Sequence, residues 1–182
     1  MSATRITWRD TLLMPEDGNR YEAIAGALYV TPAPTVRHQR VSKKLFTALV
    51  RLLEEAGYGE VLYAPVGVEF PDSAEGVQPD IVYVSRERSD IIGEDWIRGA
   101  PDLVVEVVSP STAERDRTIK RKLYERHGVK QYWIVDPDTK TVEVCNFAAR
   151  TEPAIFAERL TVLAAGTTIG EIDLSKVFSR QT

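Results

Sequence analysis

Apolar runs punctuated by turn signals divide this chain into strands and helices in mixed order. RYEAIAGALYVTP predicts two short strands meeting around Ala25-Gly26. TVRHQRVSKKLFTALVRLLEEAG then sets Val41, Leu45, Ala48, Leu49 and Leu52 at helical spacing, with Gly57 as the natural stop. EVLYAPVGVEF follows, and after the polar turn DSAEG comes QPDIVYVS, with the β-branched and aromatic content of a strand. A loop through RERSDIIGEDWIRGA leads to PDLVVEVVS, a near-continuous apolar run of the kind covered on both faces. Ser111-Thr112-Ala113-Glu114 matches a capping box, opening a helix that runs to about His127 and ends at Gly128. QYWIVDP and TVEVCNF read as two strands around a tight turn, and ERLTVLAAGTTIGEIDLSKVF as a strand and a short terminal helix. The strand, helix, strand passage in the middle is long enough for a parallel crossover. The expected class is therefore mixed α/β (α+β), a central mixed sheet flanked by helices.

Composition narrows the picture. A chain of 182 residues, 43% hydrophobic and 27% charged, can bury one substantial core, and without repeats or linkers it is expected to form a single domain over 1–182. One cysteine, Cys145, excludes an internal disulfide and a multi-cysteine zinc cluster, and two histidines argue against a histidine-rich metal site. Neither a signal-peptide core nor a membrane span is legible, so the expectation is a soluble, cytoplasmic protein. Net charge is -4, yet Arg37, Arg40, Lys43, Lys44 and Arg51 stand together without an acid, and bases outnumber acids again from Ala113 to Lys130. Such runs either offer a basic face to phosphate or are ordinary solvated helix faces.

One letter in PDLVVEVVS conflicts with its surroundings. Glu106 lies inside a buried strand, where an ionised carboxylate costs several kcal/mol (roughly) unless it is paired or bound to a cation. Alternation puts Asp102 and Glu106 on one face, and Asp80 begins the neighbouring candidate strand QPDIVYV. Two carboxylates on facing strands suit Mg²⁺, which takes one or two carboxylate oxygens and keeps several waters. A cationic group to stabilise charge on a phosphate would come from the next helix. At about 100° per residue, Asp116, Lys120 and Tyr124 line one side of its apolar stripe and Arg115, Lys122 and Arg126 the other, so spacing alone leaves Lys120 and Lys122 both open.

QPDIVYV, PDLVVEVVSPST, the D-x-x-x-K-x-x-x-Y spacing of Asp116, Lys120 and Tyr124, and HGVKQYWIVDP together resemble the bacterial "putative restriction endonuclease" family of the PD-(D/E)XK nuclease superfamily. RYEAIAGALYVTPAP and the pair His38-Gln39 are similar to that family's N-terminal region, so the likeness runs from Tyr21 to Phe147. The resemblance implies a restriction-endonuclease-like core and Mg²⁺-dependent (or Mn²⁺-dependent) hydrolysis of DNA phosphodiesters, with Asp80 and Glu106 as metal ligands and Asp80, Glu106 and Lys120 as the catalytic set. It departs from the superfamily pattern at Val108, where the motif lysine would stand; the resemblance moves that role to Lys120. Glu22, His38, Asp102, Asp116 and Tyr124 are the candidate supporting residues around this set. A homodimer is expected, since two cuts on opposite strands need two sites. The competing expectation is a catalytically inactive nuclease-fold module that binds nucleic acid or a protein partner.

Overall fold

The computed structural model describes residues 5–179. In chain order it runs α1 (Trp8–Thr11), β1 (Arg20–Ile24), β2 (Ala27–Thr31), α2 (Val36–Leu49) continued by a π turn (Val50–Glu54), β3 (Gly59–Tyr63), β4 (Val68–Phe70), β5 (Glu75–Val77) and β6 (Ile81–Ser85). A 3₁₀ segment (Arg86–Ile91) and β7 (Ile97–Arg98) precede β8 (Leu103–Val107). Then come α3 (Ala113–Arg115), a π turn (Asp116–Lys120), α4 (Arg121–Arg126), β9 (Gln131–Asp136), β10 (Thr141–Asn146), β11 (Ala154–Phe156), β12 (Arg159–Ala164), β13 (Thr167–Asp173) and α5 (Leu174–Phe178).

The main sheet has the order β11-β10-β9-β8-β6-β3, with β8 and β9 parallel and their neighbours antiparallel. The helical passage 113–126 is the crossover that joins the parallel pair, as the spacing predicts. β8 is buried along its whole length because both faces are covered, which is why its sequence is a continuous apolar run. One face packs on α2 through Leu45 and Leu49, with Leu103, Val105, Val107 and Trp133 opposite. The other face, carrying Val82, Val104 and Tyr132, packs on Leu123 and Tyr124 of α4 and on Ile24, Val68, Phe70 and Val77 of a second sheet, ordered β2-β1-β5-β4-β7. The site forms on this second side.

Two readings of the sequence are corrected. The box expected at Ser111 and Glu114 does not close: Thr112 occupies the cap with helical backbone angles and no capping bond, while the Ser111 hydroxyl pairs with Ser109 at 3.0 Å. The C-terminal region holds not one strand but an antiparallel hairpin, β12-β13, turning at Ala165-Gly166, where both residues have positive φ (48° and 78°). The polar DSAEG likewise turns directly into β5, which pairs with β4.

Candidate active site

The backbone alone brings the two principal carboxylates together. β6 and β8 pair as Ile81↔Val105, Val82↔Val104 and Tyr83↔Leu103. One further step of that register sets Asp80 opposite Glu106, on the same face, with Cβ atoms about 5 Å apart. The Val107 N–H donates to Asp80 Oδ2 at 2.8 Å and pins the end of one strand to the other. His38 Nε2, from the first turn of α2, lies 3.0 Å from the same oxygen, and Arg20 Nη1 of β1 lies 2.8 Å from Oδ1. The Arg20 guanidinium is off the hydrogen-bonding direction, so Oδ1 has an ion pair without a hydrogen bond. Burial pushes the Asp80 carboxyl up, but His38, Arg20 and the Val107 N–H outweigh it and hold the group below its ordinary value.

Glu106 sits in a different balance. Lys120 Nζ lies 2.8 Å from its Oε1, and the Tyr124 hydroxyl donates to the same oxygen at 2.8 Å. The same ammonium is 2.7 Å from Glu22 Oε1 of β1 and 4.0 Å from Asp116 Oδ1 one helical turn earlier. Burial pushes Glu106 up; Lys120 pulls it back, Asp116, Asp80 and Glu22 push again, and the carboxyl reaches about 8. Burial also raises Asp116, against the pull of Lys120. Burial works against the Lys120 charge, but Glu106, Glu22 and Asp116 outweigh it and keep the amine protonated. Tyr124, buried and bound to Glu106, stays a neutral donor well above its ordinary value.

Glu22, His38, Asp80, Glu106, Asp116, Lys120 and Tyr124 are thus gathered at one place. Asp102 is not: it stands four residues before Glu106, about 13 Å along the strand direction. There its Oδ1 pairs with Lys130 at 2.5 Å and its Oδ2 accepts from the Ser85 N–H at 2.8 Å, so it fastens the other end of the sheet. Lys122, which spacing left open beside Lys120, is exposed to solvent. Two site residues escaped the sequence reading. Arg20 shares a strand face with Glu22 through simple alternation, a signal that was available. Arg115 seemed to belong on the far side of the helix, but its Nη2 donates to Thr31 Oγ1 at 2.7 Å and lies 3.9 Å from Glu22 Oε2. A π turn adds a residue to the α repeat, so a wheel drawn at constant pitch does not carry across Asp116–Lys120.

These groups line a cavity of about 260 Å³ whose walls include Arg20, His38, Asp80, Glu106, Arg115 and Lys120. The segments 31–35 and 109–112 form its rim. Carboxylate acceptors outnumber donors here: Glu22 Oε2, Asp80 Oδ1 and Asp116 Oδ1 are buried without a hydrogen bond, and both bonds to Glu106 fall on Oε1. Among the described residues no three His, Cys, Asp or Glu side chains converge as a closed metal cage. The donor set fits a hard cation that takes two carboxylates and retains water, the coordination Mg²⁺ prefers.

The Uma2 family, described as "Putative restriction endonuclease", matches residues 8–171. A crystal structure of "a putative nuclease belonging to DUF820" from Anabaena variabilis ATCC 29413 superposes with a TM-score of 0.76 over 95% of this chain and 97% of its own, at 21% sequence identity. That likeness is one of fold. No curated protein matches the chain.

Proposed function

The chain belongs to the Uma2 family, and we propose that it is a divalent-metal-dependent endonuclease that hydrolyses DNA phosphodiesters. The observation that carries the reading is the juxtaposition of Asp80 and Glu106 across one strand pair, with the Lys120 ammonium 2.8 Å from Glu106, in a cavity with an open rim. Asp80 and Glu106 would hold Mg²⁺ or Mn²⁺. When bound, the cation would supply Lewis-acid polarisation of a phosphoryl oxygen and lower the pKa of a coordinated water. Lys120 contributes a fixed positive charge that stabilises negative charge developing on the phosphate and orients the attacking water. Glu22 and Asp116 fix where that ammonium stands, because each shares it with Glu106. Tyr124 holds Glu106 Oε1 and leaves the other oxygen free to face the cavity. Arg20 and His38 orient Asp80 from its two oxygens, Oδ1 and Oδ2 respectively.

A second reading, an inactive module of the same fold, is favoured by one feature: Asp80 is already served by Arg20, His38 and the Val107 N–H. Titrating Mg²⁺ or Mn²⁺ calorimetrically into the protein and into Glu106→Gln separates the two. The nuclease reading expects saturable binding that the variant loses, together with metal-dependent cleavage of DNA that also disappears. Cleavage that survives Glu106→Gln overturns the assignment, and absence of both binding and cleavage in the unaltered protein favours the inactive module.

A further inference from the structure

The parallel pairing of β8 with β9 places the C-terminal end of β9 beside the end of β8 that carries Glu106: Val107 pairs with Val135, and the Val108 N–H donates to the Val135 carbonyl at 2.9 Å. The β9-β10 turn therefore projects from the same end of the sheet as the site. Lys140 closes that turn with φ of 57°, a left-handed backbone that glycine or asparagine adopts at least cost. A lysine held there, with its side chain exposed, is a local choice that turn chemistry does not explain. Across from it lies the outer face of α2. Arg37 binds the Pro137 carbonyl and the Asp138 carboxylate, which braces the turn against the helix. Arg40, one turn further along, is exposed, and among the described residues it forms no ion pair.

Between the helix and the turn runs a groove of about 610 Å³ lined by Arg37, Arg40, Pro137, Lys140, Phe178 and Ser179, with no carboxylate side chain in its walls among the described residues. The helix that forms one wall also sends His38, the residue after Arg37, to Asp80, so groove and site are joined through a single element. We propose that Arg40 and Lys140, braced by Arg37, form a shelf for the phosphate backbone of duplex DNA flanking the bond to be cut. The proposal rests on the nuclease reading for the identity of its ligand. It would let a chain of net charge -4 hold nucleic acid, because the groove gathers cations locally.

The test is fluorescence anisotropy of a labelled 20-base-pair duplex in EDTA, where no cleavage can interfere, over a series of salt concentrations. Arg40→Gln and Lys140→Gly are compared singly and together with the unaltered protein. Two lost phosphate contacts should weaken binding about tenfold or more and lower the slope of log K against log salt by about 2. Lys140→Gly should melt no lower than the parent, since glycine relieves the left-handed turn, so weaker binding cannot be ascribed to unfolding. A slope unchanged in the double variant, or a parent that does not bind the duplex at low salt, overturns the shelf. Metal-dependent cleavage by the parent is scored separately. An unchanged slope in a protein that cuts DNA removes the shelf and leaves the nuclease, whereas a reduced slope in a protein that cuts nothing supports the shelf and removes the catalytic reading.

Discussion

Glu106 and Lys120 touch one another, yet removing them has unequal consequences. Lys120 is the shared cation of Glu22 and Glu106, both within 2.8 Å, with Asp116 at 4.0 Å. Lys120→Met leaves buried carboxylates without compensation, which typically costs about 3–5 kcal/mol. Glu106→Gln leaves Lys120 its pair with Glu22 and keeps an amide oxygen that can accept from Lys120 and Tyr124. It should cost under about 1 kcal/mol in metal-free buffer at pH 7. Urea denaturation of the two variants checks the difference, and equal losses would refute this charge balance. The same asymmetry explains what was legible. Glu106 and Asp80 stood out because charge is conspicuous in an apolar strand, whereas Arg20 and Arg115 read as ordinary surface cations, and only the packing of the second sheet and the crossover against the main sheet brings them to the carboxylates.

At the level of elements, the secondary structure was readable wherever one face is apolar over several turns or strand pairs, as in α2, β6, β8 and β9. It failed where an element is short or its polar residues are internally matched. β5 is three residues long, and its first, Glu75, looks like part of a solvated turn. In the folded chain that carboxylate is buried against the end of α4, where Arg126 and His127 contact it, and it accepts the Ala25 N–H at 2.5 Å from the β1-β2 turn. Burial pushes Glu75 up, but the bonds from Arg126, His127 and Ala25 outweigh it and bring the carboxyl down to about 2, from an ordinary 4.5. A depressed folded-state value means that the unfolded chain binds the proton more readily. The stabilisation is therefore complete above about pH 4.5 and is lost as pH falls towards 2. Glu75→Gln should reduce stability at pH 7 by about 1–2 kcal/mol, the half-exposed Arg126 limiting the effect. It should also flatten the acid limb of a stability-pH curve between 4.5 and 2. An unaltered acid limb would mean that Glu75 does not tie the second sheet to the crossover helix.

For the whole molecule, the decisive property is that the candidate site belongs to no single layer. Asp80 and Glu106 come from the main sheet, Arg20 and Glu22 from the second sheet, His38 from α2, and Arg115, Asp116 and Lys120 from the crossover. The two carboxylates that would hold the cation, Asp80 and Glu106, are 26 residues apart in sequence, and the four elements meet only on folding, so any affinity for a divalent cation belongs to the folded state and adds to its stability. At a free metal concentration one hundred times the dissociation constant the gain is about 2.7 kcal/mol. For a domain of this size that corresponds to a rise in melting temperature of roughly 5–10 °C. Mg²⁺ or Mn²⁺ should therefore raise the melting temperature of the protein in a concentration-dependent way, and EDTA should reverse the rise. In Glu106→Gln, whose fold keeps the Lys120–Glu22 pair, the shift should vanish. In Asp102→Asn, altered just before the same strand and at the far end of the sheet, it should persist. A rise of equal size in all three proteins would locate the metal elsewhere. Its absence even at millimolar Mn²⁺ in the unaltered protein would leave the carboxylates paired with side-chain cations alone, Lys120, Arg20 and Arg115, and the site would then be a buried ionic latch between layers.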